Sequence, residues 1–359
     1  MSDVKVDLMN NGHVSGEVAA RLLTNSQTDP GIMRPYIGDD GKAYISIYKG
    51  GDRNKPESYS KVQVNSATLM KDEWKQLDQA VIPVAESRLR GVNSLIAKGL
   101  VYNLGNGMGT TVLESQEQSD AFEAELSMDG VRRGQGDRVE FTTTYLPIPI
   151  IHVDYEINAR VLDVSRRLGN PLDTTQAERA ARKVADKLEQ MLFSNTRFNF
   201  GGGSIFSFLN YPHRETATLT IDWVNATGEQ IVADVLRMKQ ASMDNHHYGP
   251  WFLYVPSGYE LVLDEDYSAG KGENTVRERI MKIAGIENII VVDSLVIGNV
   301  VLAQATSDVV RIVRGLPIQN IHWSTEGNMV HKYKVLTIQV PQIRSDYNNR
   351  CGIVHFTRP

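Results

Sequence analysis

The sequence predicts a mixed α+β fold assembled from more than one unit. Three observations support this prediction: a long amphipathic helix near the middle of the chain, alternating helices and strands after it, and polar, strand-like segments before it. At 359 residues the chain suits two domains, or one domain with long extensions. Its apolar content of 41% and charged content of 23% are normal for a globular protein.

The central helix is predicted over residues 174–194. The segment GNP (169–171) breaks the preceding element, and Thr175 and Glu178 have the spacing of a capping box. Charged and amide residues, Glu189 among them, are expected on the solvent side. One interpretation is an ordinary surface helix over a sheet. The apolar residues recur at three- and four-residue steps and share one face: Ala177, Ala180, Ala181, Val184, Leu188, Met191 and Leu192.

Before this helix the chain changes character twice. Residues 1–70 are polar, with AYISIY (43–48) as the best strand, and they suit either a disordered tail or an arm that orders against another surface. Residues 70–100 are predicted to be helical, with an interruption near Pro83. Residues 105–144 indicate a long two-stranded ribbon without a core of its own, and YLPIPIIHVDYEI (145–157) is predicted to be a strand.

After the helix, GGGSIFSFLNYP (201–212) is predicted to be a hinge ending in a turn. Residues 228–325 alternate helices and strands as one α/β unit, interrupted by the exposed loop SAGKGEN (268–274). Residues 333–356 are predicted to form two strands that return to the first half of the chain. The ribbon and the arm need surfaces that the chain itself does not offer, so the sequence indicates an obligate assembly.

No motif predicts chemistry. The glycines of GNGMG (105–109) do not open a helix after a strand, and AGKGENT lacks the residues of a phosphate loop. The eight histidines have no zinc-binding spacing, and the carboxylates Asp264, Glu265 and Asp266 are interpreted as solvated. We therefore predict no catalytic, cofactor-binding or metal-ligating residue. An enzyme with a regulatory extension is the alternative, and it would need convergent polar groups in a pocket.

The composition indicates the redox environment of the protein and the partners it does not favour. A single cysteine, Cys351, allows no intramolecular disulfide and fits a reducing environment. Neither a signal peptide nor a membrane span is expected from the sequence. The formal net charge of −5 predicts no general affinity for nucleic acid.

The order of these segments resembles the Hong Kong ninety-seven fold, shared by major capsid proteins of tailed phages and by encapsulins. The likeness covers roughly residues 70–359 and is carried by the DEWKQLD helix, the polar ribbon, LPIPIIHVDYEI, the helix entered through PLD, and the turn GSIFSFLNYP. Encapsulin-like details include Glu189 before Phe193, and Asn210 and Pro212 in the turn.

The resemblance implies a domain plan. Residues 1–70 would be an N-terminal arm, and 71–227 a peripheral domain with an extended loop (105–144) and a spine helix (174–194). Residues 228–325 would be an axial domain, and 326–359 return strands of the peripheral domain. A loop at the capsomer centre would contain Ser268, Gly270, Lys271, Gly272, Glu273 and Asn274, and its glycines would give the conformational freedom to fit both pentamers and hexamers.

Some capsids of this fold crosslink themselves through a lysine of the extended loop. Here that loop contains Arg132, Arg133 and Arg138 but no lysine, so we predict a shell held together without covalent bonds. The arginines would instead bind acidic groups of the adjacent subunit. Solvated charges on the ribbon are the other interpretation.

The function implied is that of a phage major capsid protein, which forms pentamers and hexamers of an icosahedral shell in the virion. The implied partners are further copies of the chain, portal and scaffolding proteins, a decoration protein, and double-stranded DNA enclosed without sequence-specific binding. Assembly would take place in the host bacterial cytoplasm, without a membrane. The alternative is an encapsulin shell around a cargo enzyme; the long N-terminal segment favours the phage capsid.

Overall fold

The computed structural model describes residues 34–49, 55–64, 69–105, 107–118, 128, 141–168, 174–195, 197–267, 274–325 and 330–359. The first 33 residues of the predicted arm and the middle of the predicted ribbon lie outside these ranges. Seven α-helices fall within them: α1 Lys71–Arg88, α2 Arg90–Ala97, α3 Ala159–Leu168, α4 Thr175–Phe193, α5 Gly228–Asp244, α6 Glu260–Asp264 and α7 Val276–Met281. No helix of the described part is long and apolar enough to cross a membrane.

Seventeen strands accompany these helices in the described ranges, which confirms the mixed α+β prediction. They are β1 Tyr36–Ile37, β2 Ala43–Tyr48, β3 Tyr59–Val64, β4 Leu69–Met70, β5 Val101–Asn103, β6 Val112–Gln118, β7 Phe141–Pro147, β8 Ile151–Asn158, β9 Phe198–Phe200, β10 Gly203–Ile205, β11 Glu215–Thr218, β12 Trp251–Pro256, β13 Ile286–Val292, β14 Asn299–Gln304, β15 Val310–Thr325, β16 Val330–Ile343 and β17 Ile353–Thr357. Two hairpins, β6-β7 and β9-β10, stand beside three larger sheets.

The spine helix α4 packs on a four-stranded sheet of order β5-β15-β16-β8, which we call the peripheral sheet. The buried side chains in the N-terminal half of the helix are mainly alanines. Those at its C-terminal end are Leu188, Leu192 and Phe193, in the same core. Small residues at one end bring the helix close to the sheet, while bulky residues at the other fill the wider gap. The predicted bounds of 174–194 agree with the observed Thr175–Phe193.

A second core lies around a five-stranded sheet of order β11-β17-β14-β12-β13, which we call the axial sheet. Every residue of β12 is buried, and α5 begins with a capping box formed by Thr227 and Gln230. Asp234 of α5 is fully buried and accepts a hydrogen bond of 3.1 Å from the indole N–H of Trp223. This carboxylate ties the start of the unit to its first long helix.

The first described residues form a small sheet of order β3-β2-β1-β4 on α1. The guanidinium of Arg34 lies 4.5 Å from the ring centroid of Trp74 and donates to Asp78 at 2.7 Å. Tyr36 and Leu69 are buried beside Trp74. This part of the predicted arm therefore packs on its own chain.

Three local predictions are wrong. Helix α1 continues through the exposed Pro83 and ends at Arg88, because a missing N–H costs least on a solvent-facing turn. Thr174, not Thr175, precedes α4, and its hydroxyl donates to the Glu178 carboxylate instead of forming a capping box. The segment 145–157 is interrupted at residues 148–150 rather than forming one strand.

The two strands predicted to return together separate. Strand β16 pairs with β8 in the peripheral sheet, as expected, but β17 lies between β11 and β14 in the axial sheet. Strand β15, inside the predicted axial range, pairs with β16 in the peripheral sheet. The boundary predicted between residues 325 and 326 therefore separates β15 from β16, although these two long strands pair with each other.

Candidate assembly surfaces

The ribbon β6-β7 has one covered face and one open face. Leu113 and Leu146 oppose each other on the covered face and contact the core between the ribbon and the peripheral sheet. On the same face the Ser115 and Thr144 hydroxyls share a hydrogen bond of 2.7 Å. Phe141, with 62% of its surface exposed, lies on the open face. The base of the ribbon thus packs on its own chain, while Phe141 farther out stays exposed among the described residues.

The hairpin β9-β10 packs against the base of the ribbon. Gly203 sits so close to the carbonyl oxygen of Tyr145 that a β-carbon would collide with it. Phe198 and Phe200 protrude from this hairpin, with 47% and 56% of their surface exposed, and Tyr145 is 42% exposed. We call Phe141, Tyr145, Phe198 and Phe200 the aromatic set. Exposed aromatic side chains of this size are typical of interaction surfaces.

A second apolar surface lies at one end of the axial sheet. Leu261 in α6 is 81% exposed, and Val296 and Ile297 in the turn after β13 are 64% and 46% exposed. A β-carbon on Gly258 would approach Ile297 to 2.7 Å, so the turns after β12 and β13 are packed together. This end of the sheet presents apolar groups that the described part of the chain leaves exposed.

Of the predicted capsomer-centre loop, the structure describes only Asn274. Its carbonyl accepts from the Tyr267 N–H at 3.0 Å, and its side-chain oxygen accepts from the Lys282 ammonium at 2.8 Å. A bridge between Asp266 and Thr275 closes the loop's base. The other predicted site residues lie outside the described ranges, and their roles stay predictions: Ser268, Gly270, Lys271, Gly272, Glu273, Arg132, Arg133 and Arg138.

Glu189 of α4 was expected on the solvent side, but it is only 3% exposed. Its carboxylate accepts hydrogen bonds from the backbone N–H groups of Gly91 at 2.6 Å and Val92 at 3.2 Å, at the start of α2. Burial raises the pKa of this carboxyl to about 7, although the two N–H donors act in the opposite direction. A sequence signal did exist: Glu189 lies one turn from both Ala185 and Phe193, which are buried.

The same contact between α2 and the spine helix requires a glycine at position 91. A β-carbon on Gly91 would collide with the ring of Phe193, so only glycine allows α2 to approach the spine helix this closely. Phe193 in turn lies 5.1 Å, centroid to centroid, from Tyr254 of the axial sheet. We call Gly91, Val92, Glu189 and Phe193 the spine joint.

His355 is buried and His322 is half-buried in the sheets. His355 of β17 contacts Asn299 at 2.9 Å and accepts from Arg214 at 3.4 Å, and burial lowers its pKa to about 4. Burial likewise lowers the pKa of His322 to about 4, with its ring 5.8 Å from that of His331. Both imidazoles are therefore neutral near neutral pH.

The described part contains no group of three or more His, Cys, Asp or Glu side chains placed to hold a metal ion. A crevice beside β8 and α3 has a volume of about 320 Å³ and a lining with one ionisable group, Glu156. Its other lining residues are Ile157, Asn158, Val161, Gln176 and Val330. Convergent polar groups of the kind an enzyme needs are not found there.

Comparison with known proteins gives a family match and a shared fold. The model of a family of unknown function (DUF6260) matches residues 64–356. A virus-like particle from Pyrococcus furiosus is 18% identical with a TM-score of 0.58, covering 79% of this chain and 98% of that one. The capsid of Myoviridae phage XM1 is 10% identical with a TM-score of 0.59, covering 75% and 92%.

The capsid of a native GTA particle shares the same fold, with 12% identity, a TM-score of 0.51, and coverage of 75% of this chain and 91% of that one. The predicted capsid fold of tailed phages and encapsulins is thereby confirmed. At identities this low the likeness concerns the fold alone.

Proposed function

The chain belongs to the family of unknown function DUF6260 and has the fold of capsid shell proteins, and on that premise we propose that it is a phage major capsid protein. Copies of the chain would form pentamers and hexamers, and these would close an icosahedral shell around double-stranded DNA. The protein would have a structural role, with no reaction of its own.

The observation that carries this proposal is the fold, which this chain shares with the chains of a virus-like particle and two capsids across at least nine-tenths of each of those chains. The aromatic set supports it, because a ribbon with exposed aromatic side chains gains stability when a neighbouring copy covers them. The net charge of −5 suits a container that does not grip its DNA.

The proposal includes partners and a location. Portal and scaffolding proteins would assemble with the shell, and a decoration protein would bind its surface. The shell would form in the cytoplasm of a bacterial host and end as the capsid of the virion. Arg132, Arg133 and Arg138 would contact acidic groups of the adjacent subunit, and the loop 268–274 would line the centre of each capsomer.

A second candidate is an encapsulin-type shell that encloses a cargo enzyme. It is favoured by the Pyrococcus furiosus particle, whose chain is covered over 98% of its length. The contents of the particle distinguish the two functions, since a capsid packages DNA and an encapsulin packages protein.

The test is to express the chain alone and examine it by size-exclusion chromatography and negative-stain electron microscopy, followed by analysis of nucleic acid and protein. Closed shells, or open sheets and free capsomers that await a scaffold, support the proposal. Shells that enclose a co-purified enzyme replace it with the second candidate. A monomer that stays monomeric at high concentration contradicts both.

A pair of variants tests the surface. Changing both Phe141 and Phe200 to serine removes apolar groups that are more than half exposed, so assembly should fail while the chain stays folded. The matched control changes both residues to tyrosine and should still assemble. If the serine variant assembles like the unmodified chain, the aromatic set is not an assembly surface.

A further inference from the structure

The exposed side of the spine helix α4 is basic. Arg179, Lys183 and Lys187 follow one another at steps of four residues, so they line one face at intervals of about 6 Å along the helix axis. Arg182, three residues after Arg179, borders the same face. The side chains of all these residues are exposed. We call Arg179, Arg182, Lys183 and Lys187 the basic stripe.

Acidic groups of α4 offset the charge of the basic stripe only in part. Glu178 and Asp186 are half-buried. The Glu178 carboxylate accepts a hydrogen bond from the Thr174 hydroxyl at 2.9 Å. Asp186 lines a crevice together with Arg88 and Arg90, which are basic themselves. Among the residues that the structure describes, no ion pair involves the basic stripe. Helix α4 therefore presents excess positive charge to solvent, although the whole chain has a net charge of −5.

The other side of the peripheral sheet differs in charge. Successive side chains of β16 point to opposite sides, so Val335 lies in the core that contains α4, and Leu336 in the core that contains Leu146 of the ribbon. On the side away from α4, two lysines of β16 form ion pairs with β8: Lys332 with Glu156 at 3.8 Å, and Lys334 with Asp154 at 3.4 Å. The described cations are thus paired on that side and unpaired on the helix.

We propose that the basic stripe binds the phosphate backbone of double-stranded DNA, and that the spine-helix side of the chain faces the inside of the shell. The inference rests on the proposed capsid function and names the side of the chain that meets the DNA. Charge complementarity selects this occupant, because double-stranded DNA carries about one negative charge per 1.7 Å of its axis. Exposed cations without carboxylate partners neutralise phosphates and release the counterions of the DNA. The acidic remainder of the chain confines the contact to this stripe.

Binding of a short, fluorescently labelled DNA duplex to the purified, unassembled chain tests the proposal. Anisotropy titrations at several NaCl concentrations give the association constant. Its logarithm should fall linearly with the logarithm of the salt concentration, with a slope of about −3 to −4 for each chain in contact, since each neutralised phosphate contributes about −0.9. A second duplex of unrelated sequence should bind equally, because phosphate contacts do not read bases. No binding at low salt overturns the proposal.

A triple variant locates the binding surface. Arg179→Gln, Lys183→Gln and Lys187→Gln together remove most of the basic stripe, and the helix should persist because glutamine, arginine and lysine have similar helix propensities. The salt slope should become shallower by about 3 for each chain in contact, and the affinity at low salt should fall at least about tenfold. A triple variant that binds like the unmodified chain overturns the proposal.

The matched control removes the same charge elsewhere. Lys61→Gln, Lys282→Gln and Arg358→Gln change exposed residues outside α4, so this variant should keep the salt slope and affinity of the unmodified chain. Equal losses in the two variants would mean that only the net charge of the chain matters, and would overturn the assignment to the basic stripe.

Closed, empty particles test the orientation. A duplex added outside should not bind closed particles, but should bind the same particles after dissociation. Binding to closed particles that is lost in the stripe variant overturns the inward orientation. A stripe variant that binds the duplex normally but no longer assembles shows that a neighbouring copy covers the stripe, which also overturns the proposal. A chain that binds DNA through the stripe but never forms a shell supports the DNA contact while the proposed function fails, so the two failures are distinct.

Discussion

The axial sheet and the ribbon differ in how far their side chains are buried. All six residues of β12 are buried within the chain, whereas the first three of β7 are exposed and Phe141 extends into solvent. One face of the axial sheet packs in its own core, and the other face packs in the core that contains the spine helix. The outer ribbon, by contrast, leaves Phe141 exposed among the described residues. The difference teaches that the described chain buries every residue of β12 but leaves aromatic side chains of the ribbon exposed, which is the surface that the proposed assembly would cover.

The largest effect is expected from Trp251→Ala in β12. Trp251 is 2% exposed and donates to the Ser242 hydroxyl at 3.0 Å, so its loss leaves a cavity and removes this hydrogen bond. The free energy of unfolding should fall by about 3–5 kcal/mol. Urea denaturation of the unassembled chain measures it. Phe141→Ala in the ribbon, as the matched control, should change it by less than about 1 kcal/mol; equal losses would break the comparison.

An intermediate effect is expected where the ribbon meets its own chain. In Gly203→Ala the new methyl group would collide with the Tyr145 carbonyl, so the variant should lose about 1–3 kcal/mol of stability in thermal or urea unfolding. Gly105→Ala is the control, because a β-carbon there meets nothing within 4 Å. If both variants unfold like the unmodified chain, the base of the ribbon is not packed as described.

A pH-dependent effect is expected in the axial sheet. Because burial lowers the pKa of His355 from 6.5 to about 4, the stability that its neutral form supports above pH 6.5 is lost as the pH falls toward 4. The loss is at most about 3 kcal/mol. The free energy of unfolding, measured by denaturation at several pH values between 7 and 4, should depend less on pH in His355→Gln than in the unmodified chain. His213→Gln, at an exposed position, should match the unmodified chain; a steep His355→Gln curve would contradict the prediction.

No covalent crosslinking between copies of the chain is expected in assembled particles. The ribbon range 105–144 contains no lysine, so assembled particles boiled in detergent should migrate as single chains of 40.1 kDa. A ladder of covalent multimers on the gel would show that an amine outside this range supplies the link.

Local patterns predicted the helices better than the sheets. The bounds of α4 follow from apolar periodicity within one segment, so prediction and structure differ by one residue at each end. The place of β17 depends on its partners β11 and β14, which lie far away in the chain, and no local pattern encodes that pairing. Glu189 was assigned to solvent because a charged side chain on a helix is usually solvated. Its partners are backbone groups about a hundred positions earlier, which periodicity within α4 cannot reveal.

The place of β17 in the axial sheet determines when, during synthesis of the chain, this sheet can be completed. Strands β11 and β14 lie on either side of β17 and do not pair with each other, so the sheet is incomplete until residues 353–357 have left the ribosome. A nascent chain therefore carries open strand edges at this sheet until translation has passed that point. Copies in which residues 353–357 have not yet emerged would lack the finished axial sheet, and contacts that need this sheet would form only after β17 has joined it.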